Sequence, residues 1–284
     1  AGEVASEIAV RTLQEVYTDP KVRVSSSGLL ADAISTANTA IFMEAMHDSS
    51  KTGMGTTLTG LAVTNAPDNQ IVVANVGDSR TYLWRHGELR QVTKDHSHVQ
   101  TLVDRGAITR AEARVHFQRN IVLRAMGIES WVDIDTFPMT VEDGDRYIMC
   151  SDGLVDEADD DEIEAEIRLS VSVQDLADRL VDLANRNGGR DNITVVVVDF
   201  EVVDNEELVT SEPELLVIND GIDTTSTTTA TITEEIAVIT PGLAIVDIAP
   251  SRPSRWFTVA TYAMWLASAA ITATVMISAI TSSQ

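Results

Sequence analysis

The segment DRYIMCSDGL (residues 145–154) combines a predicted strand with an acidic turn, and the fold of the rest of the sequence can be inferred from it. Its first half is an apolar run typical of a buried strand. The run ends in Ser151-Asp152-Gly153, where a carboxylate stands at the point at which the chain turns. Asp and Gly both suit tight turns, so an isolated pair indicates a turn and nothing more. The position gains meaning only if other carboxylates stand at comparable strand ends.

Two further aspartates share that context. Asp78 ends QIVVANVGD (70–78), and Asp191 opens DNITVVVVDF (191–200). If the three strands are neighbours, the carboxylates converge, and carboxylates brought together repel unless they bind a proton or a cation. Mg²⁺ and Mn²⁺ prefer such oxygen ligands, and two ions could activate a bridging water against a phosphate ester. Three independent turns or caps remain the alternative at this point.

Composition limits the classes of function. The 284-residue chain is 44% hydrophobic and carries a formal net charge of −24, so it can bury a sizeable core but is repelled by nucleic-acid phosphates. We therefore expect no nucleic-acid partner. Its one cysteine, Cys150, lies in an apolar stretch, and Asp156 stands where a cysteine-dependent phosphatase needs an arginine. Ser151 has no evident base partner in sequence, so neither residue is predicted to be a nucleophile.

The periodicity alternates between helix and strand. Residues 3–17 and 29–46 have apolar residues at helical spacing, whereas 56–63 and 70–78 flank a hairpin loop. The long β-branched run 192–203 predicts another strand. Strands joined by hairpins, with helices in separate blocks, favour antiparallel sheets covered by helices over a doubly wound parallel sheet.

Six blocks of this sequence, in this order, closely resemble the bacterial metal-dependent serine/threonine protein phosphatases of type 2C. They cover nearly all of residues 1–200: GEVAS (2–6), GMGTTLT (53–59), VGDSRTYLWRHGELRQVTKDHS (76–97), LRAMG (123–127), DRYIMCSDGL (145–154) and GGRDNITVVVVD (188–199). The resemblance implies an α+β fold, an α/β/β/α sandwich of two antiparallel sheets flanked by helices.

The same resemblance implies the chemistry. The expected activity is hydrolysis of phosphoserine and phosphothreonine in proteins by a water activated by two metal ions, Mn²⁺ or Mg²⁺. It implies that Asp152 and Asp191 ligate this metal pair, and that Asp78 together with Asp152 holds a third, weaker ion. The expected partners are phosphorylated proteins, namely serine/threonine kinases and their substrates.

The region between Asp78 and Asp191 carries weaker signals. Residues 95–120 resemble the family's mobile flap, so Arg114, His116 and Arg119 are expected to face substrate. His96 and His98 could bind a metal, but zinc sites have three or four protein ligands and only two are visible here. A loop-to-helix transition capped by Ser97 or Asp95 is therefore favoured. The acidic run 156–166 predicts a solvated helix start.

Part of the family pattern is missing. The Asp-Gly that bridges both metals and the arginine that grips phosphate precede GEVAS in the family, and neither is found in this sequence. We therefore expect an N-terminally incomplete copy of a phosphatase. The alternatives are a catalytically inactive phosphatase-like binding module and an anchor protein whose globular part is scaffold.

The composition divides the chain into four parts. We expect a phosphatase domain over 1–203, an acidic Thr-rich linker over 204–255, a transmembrane helix over 256–280 and a short tail over 281–284. The helix is predicted from 25 residues without charge, and Arg252 and Arg255 before it favour a cytoplasmic phosphatase domain. The expected location is the cell membrane, with a single span.

Overall fold

Two antiparallel β-sheets, packed face to face and covered by helices, form the core of the protein. The structure is a computed structural model and describes residues 2–19, 28–64, 69–202, 242–246, 262–263 and 275–280. Seven α-helices occur in these ranges: α1 (Gly2–Thr18), α2 (Leu29–His47), α3 (His98–Asp104), α4 (Arg110–Arg114), α5 (Asp152–Val155), α6 (Asp160–Leu169) and α7 (Val173–Asn187). A short 3₁₀ helix, Ser49–Lys51, follows α2.

The strands of the described residues divide equally between the two sheets. The first sheet has the order β5-β2-β1-β10-β9 and the second β4-β3-β6-β7-β8. Their bounds are β1 (Thr57–Val63), β2 (Gln70–Val76), β3 (Arg80–Arg85), β4 (Glu88–Gln91), β5 (Asp135–Thr140), β6 (Arg146–Cys150), β7 (Val195–Asp199), β8 (Gly242–Val246), β9 (Tyr262–Ala263) and β10 (Val275–Ile280). Every pair is antiparallel, as the sequence predicts.

Three apolar layers hold the sandwich together. The Ala-rich faces of α1 and α2 pack on β1 and β2 of the first sheet. The faces of the two sheets that meet contribute the middle layer, in which the rings of Tyr147 and Phe200 lie edge to face at 5.5 Å. The helices α5, α6 and α7 cover the outer face of β6 and β7. This order of layers is the predicted α/β/β/α sandwich.

The C-terminal strands differ from the organisation predicted from sequence. β8 lies within the predicted linker and pairs with β7, whereas β10 lies within the predicted transmembrane helix and pairs with β1. The predicted helix is therefore wrong at β9 and β10, where the backbone is extended. The reason is that one edge of β1 and one edge of β7 would lack a partner without β10 and β8, and an extended segment satisfies those backbone groups as a strand.

The remaining C-terminal predictions lie outside the described residues. These are the rest of the linker 204–255, the rest of 256–280 and the tail 281–284. Within the ranges that the structure describes, no helix is long and apolar enough to cross a membrane.

Candidate active site

The register of the second sheet brings three strand ends to one edge. β3 and β6 pair Arg80 with Cys150, and β6 and β7 pair Cys150 with Val195. Because neighbouring strands are antiparallel, the start of β3, the end of β6 and the start of β7 lie at the same level. Of the three strands that the sequence predicts to be neighbours, β6 and β7 do pair, but β2, the strand before Asp78, lies in the first sheet, so the prediction is wrong for that strand. Asp78 reaches this edge because it stands just before β3. Next to these ends stand the predicted aspartates: Asp78, Asp152 and Asp191.

Asp78 lies on a tight crossing from the first sheet to the second. Gly77 has φ 110°, and a Cβ there would collide with Thr57, so only glycine fits. The hydroxyls of Thr57 and Ser79 lie 3.0 Å apart across the crossing. His96 closes it from outside: its ring Nδ1 accepts from the Gly77 amide at 3.0 Å, and its own amide donates to the Gly77 carbonyl at 2.9 Å.

Asp152 opens a single helical turn directly after the central strand β6. Ser151 precedes it, and its hydroxyl donates to the Asn192 carbonyl at 3.1 Å and accepts from the Thr194 amide at 3.0 Å. A Cβ on Gly153 would overlap the Asn192 carbonyl, so the turn carrying Asp152 lies directly against the segment that follows Asp191. The glycine is required by this close approach of two backbones.

Asp191 lies on the loop between α7 and β7 and is exposed. Its Oδ1 accepts from the Asn192 amide at 2.7 Å, which holds the side chain along the loop. The preceding residue, Arg190, donates through Nε to Glu157 Oε1 at 2.7 Å. The loop is thus attached to the segment that follows Asp152.

Burial and neighbouring acids raise the pKa of Asp78 and of Asp152. Burial raises the pKa of Asp152 to about 8, and the charges of Asp78 and Asp191 add to the effect. Burial, followed by the charge of Asp95, raises the pKa of Asp78 to about 6. Burial also raises the pKa of Asp156. Anionic carboxylates at this edge are therefore costly without a cation.

This donor set fits a hard divalent cation. It consists of carboxylate oxygens that repel one another, which is the ligand chemistry of Mg²⁺ and Mn²⁺. In the part of the chain that the structure describes, no three His, Cys, Asp or Glu side chains lie close enough to hold a metal ion as they stand. Mg²⁺ keeps several water ligands, so carboxylates that stand somewhat apart still suit it.

A cleft of about 330 Å³ opens beside these carboxylates. Its acidic wall comes from α5, from the start of α6 and from the residues between them, and faces the segment of α3 and α4. The charged residues that line it are Asp78, Arg80, Asp95, Arg110, Arg114, Arg119, Asp152, Asp156, Asp159, Asp160 and Asp161. Asp191 is not among its lining residues.

The predicted flap residues separate into two groups. Arg114 and Arg119 line the cleft; the first donates to the Ala158 carbonyl at 3.0 Å, and the second lies 3.5 Å from Asp156. His116 does not line the cleft. Its Nδ1 accepts from the Gln118 amide at 3.2 Å, so the structure gives it a local role in the loop.

The two histidines of the H-x-H pattern take separate places. His96 is buried against the Gly77 crossing, and His98 begins α3. Ser97 caps that helix by accepting from the Gln100 amide at 3.2 Å, as predicted. The loop-to-helix interpretation of this stretch is therefore the one that the structure supports.

Sequence reasoning missed an internal ion pair in the cleft wall. Arg80 binds Asp95 through Nε at 2.9 Å and Nη2 at 2.7 Å, and donates through Nη1 to the Tyr82 hydroxyl at 2.9 Å. Tyr82 in turn donates to Asp160 at 3.0 Å. Only the β3 pattern, which places Arg80 and Tyr82 on one face, could have suggested part of this network.

The sequence matches two protein families that divide the domain between them. Protein phosphatase 2C matches over residues 2–119, and Stage II sporulation protein E (SpoIIE) matches over residues 104–201. Together these matches span all three aspartates.

Individual proteins agree with this assignment. The serine/threonine phosphatase stp of Listeria welshimeri is 38% identical over 202 residues, which cover 70% of this chain and 79% of that protein. The serine/threonine protein phosphatase PstP of Mycobacterium tuberculosis H37Rv is 41% identical over 203 residues, 70% of this chain and 38% of that protein. The crystal structure of the catalytic domain of PstP with two manganese ions superposes with a TM-score of 0.61 at 38% identity, covering 71% of this chain and 82% of that one.

The sandwich with acidic groups at one sheet edge is the architecture of a metal-dependent phosphatase. By its similarity to these proteins, the chain belongs to the protein phosphatase 2C family of bacterial serine/threonine phosphatases.

Proposed function

We propose that this chain hydrolyses phosphoserine and phosphothreonine esters in proteins, with Mn²⁺ or Mg²⁺ held by Asp78, Asp152 and Asp191. The observation that carries the proposal is the buried pair Asp78 and Asp152, whose pKa values burial and neighbouring acids raise to about 6 and about 8. Carboxylates buried in this way bind a proton or a cation, and a divalent cation keeps both of them anionic. Membership of the family gives that cation a catalytic purpose.

The three aspartates would divide the task. Asp152 and Asp191 would hold the catalytic ions, and Asp78 with Asp152 a third ion. Bound ions of this kind lower the pKa of a coordinated water and neutralise charge on the phosphate. The carboxylates themselves would orient that water and hold the ions at the mouth of the cleft.

Arg114 and Arg119 would supply positive charge on the flap side of the cleft. Their present contacts are a backbone carbonyl and Asp156, which a phosphate could replace. A planar guanidinium matches phosphate oxygens two at a time, so these residues would orient the ester. His116 is left out of this role because it does not line the cleft.

The substrates would be proteins phosphorylated by serine/threonine kinases, and the kinases themselves. This part of the proposal rests on the family resemblance, since the listeria and mycobacterial relatives are named as serine/threonine phosphatases. The acidic cleft wall favours sites with basic neighbouring residues.

The test uses the full chain and a phosphothreonine peptide. Released phosphate is measured against Mn²⁺ concentration, and Mn²⁺ binding is measured separately by the electron paramagnetic resonance of free Mn²⁺. Asp152→Asn should lower metal affinity by about 100-fold or more, since even groups behind the ligands contribute about 10–100-fold. Asp178→Asn is the matched control, because it removes one acid from the exposed face of α7.

The outcomes separate the candidate functions. Turnover that requires Mn²⁺ and is lost in Asp152→Asn supports the phosphatase. Mn²⁺ binding at Asp152 without turnover of any phosphopeptide favours the phosphatase-like binding module. Turnover that persists in excess chelator contradicts the proposal.

Location at the cell membrane is a separate proposal and rests on the uncharged sequence of 256–280. The extended backbone at β9 and β10 argues against one continuous helix there. Extraction of cell membranes with alkaline carbonate tests it: an integral protein stays in the pellet, whereas release into the supernatant contradicts a span.

A further inference from the structure

Glu157 and Arg190 form a fork-shaped ion pair between two segments of the candidate site. Arg190 Nε donates to Oε1 at 2.7 Å and Nη2 donates to Oε2 at 3.1 Å. The backbone amide of Arg190 also lies 3.4 Å from Oε1. Two parallel bonds between a guanidinium and a carboxylate fix orientation as well as distance.

The pair is buried on one side only. The side chain of Glu157 is 3% exposed and that of Arg190 is 64% exposed. The loop before Arg190 closes around the glutamate: Asn187 donates to its backbone carbonyl at 3.0 Å, and a Cβ on Gly188 would lie 2.5 Å from Oε2. A buried carboxylate needs a partner, and Arg190 is the guanidinium that reaches it.

The position of the pair in the chain connects it to the metal site. Glu157 follows the helical turn that Asp152 opens, and Arg190 directly precedes Asp191. A Cβ on Gly153 would overlap the Asn192 carbonyl, so the residues next to Asp152 and Asp191 are in contact and the two segments carry like-charged carboxylates close together. A tie between the segments must oppose the repulsion between these carboxylates, and the ion pair lies where such a tie would act.

We propose that Glu157 and Arg190 are positioning residues that hold the segments of Asp152 and Asp191 together, so that both carboxylates can share a divalent cation and its water ligands. The inference rests on the metal site proposed above. Neither residue needs to contact the metal or the substrate. Their effect on the reaction is through the distance between the two loops.

The experiment measures Mn²⁺ affinity of the full chain by the resonance of free Mn²⁺. Arg190→Ala is expected to weaken Mn²⁺ binding by about 10–100-fold, the range found for groups that orient metal ligands. Arg190→Lys keeps the charge but has a single donor nitrogen in place of the two that bind Glu157, so the loss of Mn²⁺ affinity should be smaller than in Arg190→Ala. Arg186→Ala is the matched control: Arg186 is 59% exposed, pairs with Glu166 at 3.1 Å and lies on the same helix–loop segment.

A second measurement separates positioning from general stability. In the metal-free chain, the amides of residues 188–192 should exchange hydrogen faster in Arg190→Ala than in wild type, whereas those of β6 and β7 should not change. If Arg190→Ala does not fold, the comparison passes to Arg190→Lys, judged against Arg186→Ala by the same titration.

Each outcome decides the matter. Weaker Mn²⁺ binding in Arg190→Ala, partly restored in Arg190→Lys, supports the inference. Wild-type affinity in the Arg190 variants, while Asp152→Asn abolishes binding, overturns it and leaves the proposed metal site intact. Absence of any Mn²⁺ binding that depends on Asp152 overturns the metal site and this inference together.

Discussion

The hydroxyl of Ser151 donates a hydrogen bond to the backbone carbonyl of Asn192 at 3.1 Å, across 41 residues of sequence. It also accepts from the Thr194 amide at 3.0 Å. The serine beside Asp152 is therefore a connector between the ends of β6 and β7. This explains the hydroxyl without a nucleophilic role, in agreement with the lack of a base partner in sequence.

Replacing Ser151 by alanine should lower the free energy of unfolding by about 1–3 kcal/mol, because the buried Thr194 amide loses its acceptor. Urea denaturation of the metal-free chain measures this. Thr36→Ala, which removes an exposed hydroxyl bonded to the Asp32 carbonyl on α2, is the control and should change stability little. An equal effect of the two substitutions would show that the connection is not important.

Gly153→Ala should be more damaging than Ser151→Ala. The new Cβ would overlap the Asn192 carbonyl; the backbone fixes the Cβ position and its partner is a backbone group, so neither can rotate away. We expect a loss of about 3 kcal/mol or more, at the upper end for overpacking. Gly87→Ala serves as the comparison, because Gly87 has φ 83° but no atom within 4 Å of its Cβ position. A milder effect at Gly153 than at Gly87 would contradict the close approach.

The sequence predicts the sandwich and the neighbouring strands beside Asp152 and Asp191 because both follow from local patterns, whereas it does not predict that the chain crosses from the first sheet to the second at Asp78. β6 and β7 are continuous apolar runs, and each ends or begins beside an acid. The sequence does not predict the C-terminal strands in the same way. An uncharged run such as 256–280 is compatible with a transmembrane helix and also with a strand. At β10 the chain forms a strand because it pairs there with β1.

The supporting residues of the site are harder to predict. Glu157 belongs to an acidic run that the sequence indicates is solvated, and Asp159 does cap α6 by accepting from the Glu162 amide at 2.9 Å. Yet Glu157 is buried, because the loop after α7 folds over it. Pairs such as Arg80 with Asp95 depend on the return of β4 beside β3, and no local period records that contact.

His96 should make stability depend on pH. Burial lowers the pKa of His96, with Asp135 opposing and Arg124 assisting the shift. Its Nδ1 accepts from the Gly77 amide, so the neutral ring carries its proton on Nε2, which lies 3.2 Å from Asp135. Arg124 Nη1 lies 2.9 Å from the same nitrogen, but two N–H donors cannot bond to each other. The two groups lie close together because both approach the carboxylate of Asp135.

The direction of the pH dependence follows from the difference in proton binding between the folded and the unfolded chain. The folded chain binds the His96 proton less readily than the unfolded chain, so the contribution of His96 is complete above pH 6.5 and is lost as the pH falls through its lowered pKa. His96→Gln should therefore flatten the loss of stability on acidification. Asp78 and Asp152 also titrate in this range. The quantity to measure is therefore the difference in free energy of unfolding between wild type and variant, followed from pH 8 to 5. Parallel curves would contradict the prediction.

The hydroxyl of Tyr82 links the cleft wall to α6. It accepts from Arg80 Nη1 at 2.9 Å and donates to Asp160 at 3.0 Å, and the ring is fully buried. Tyr82→Phe should lower the free energy of unfolding by about 1–3 kcal/mol, because a partly buried guanidinium N–H loses its acceptor. Tyr147→Phe is the matched control, since that buried hydroxyl makes a 4.0 Å contact with the sulfur of Met139.

A double-mutant cycle locates the effect of Tyr82. If the link to α6 matters, Tyr82→Phe should cost less in an Asp160→Ala background than in wild type, because the bond between the two side chains is already absent there. The Arg80 contact remains in that background, so part of the cost should persist. Equal costs in both backgrounds would assign the whole effect to Arg80 and remove α6 from the network. Mn²⁺ affinity should stay at the wild-type value in Tyr82→Phe, since the Asp78 crossing is held separately by Thr57, Ser79 and His96.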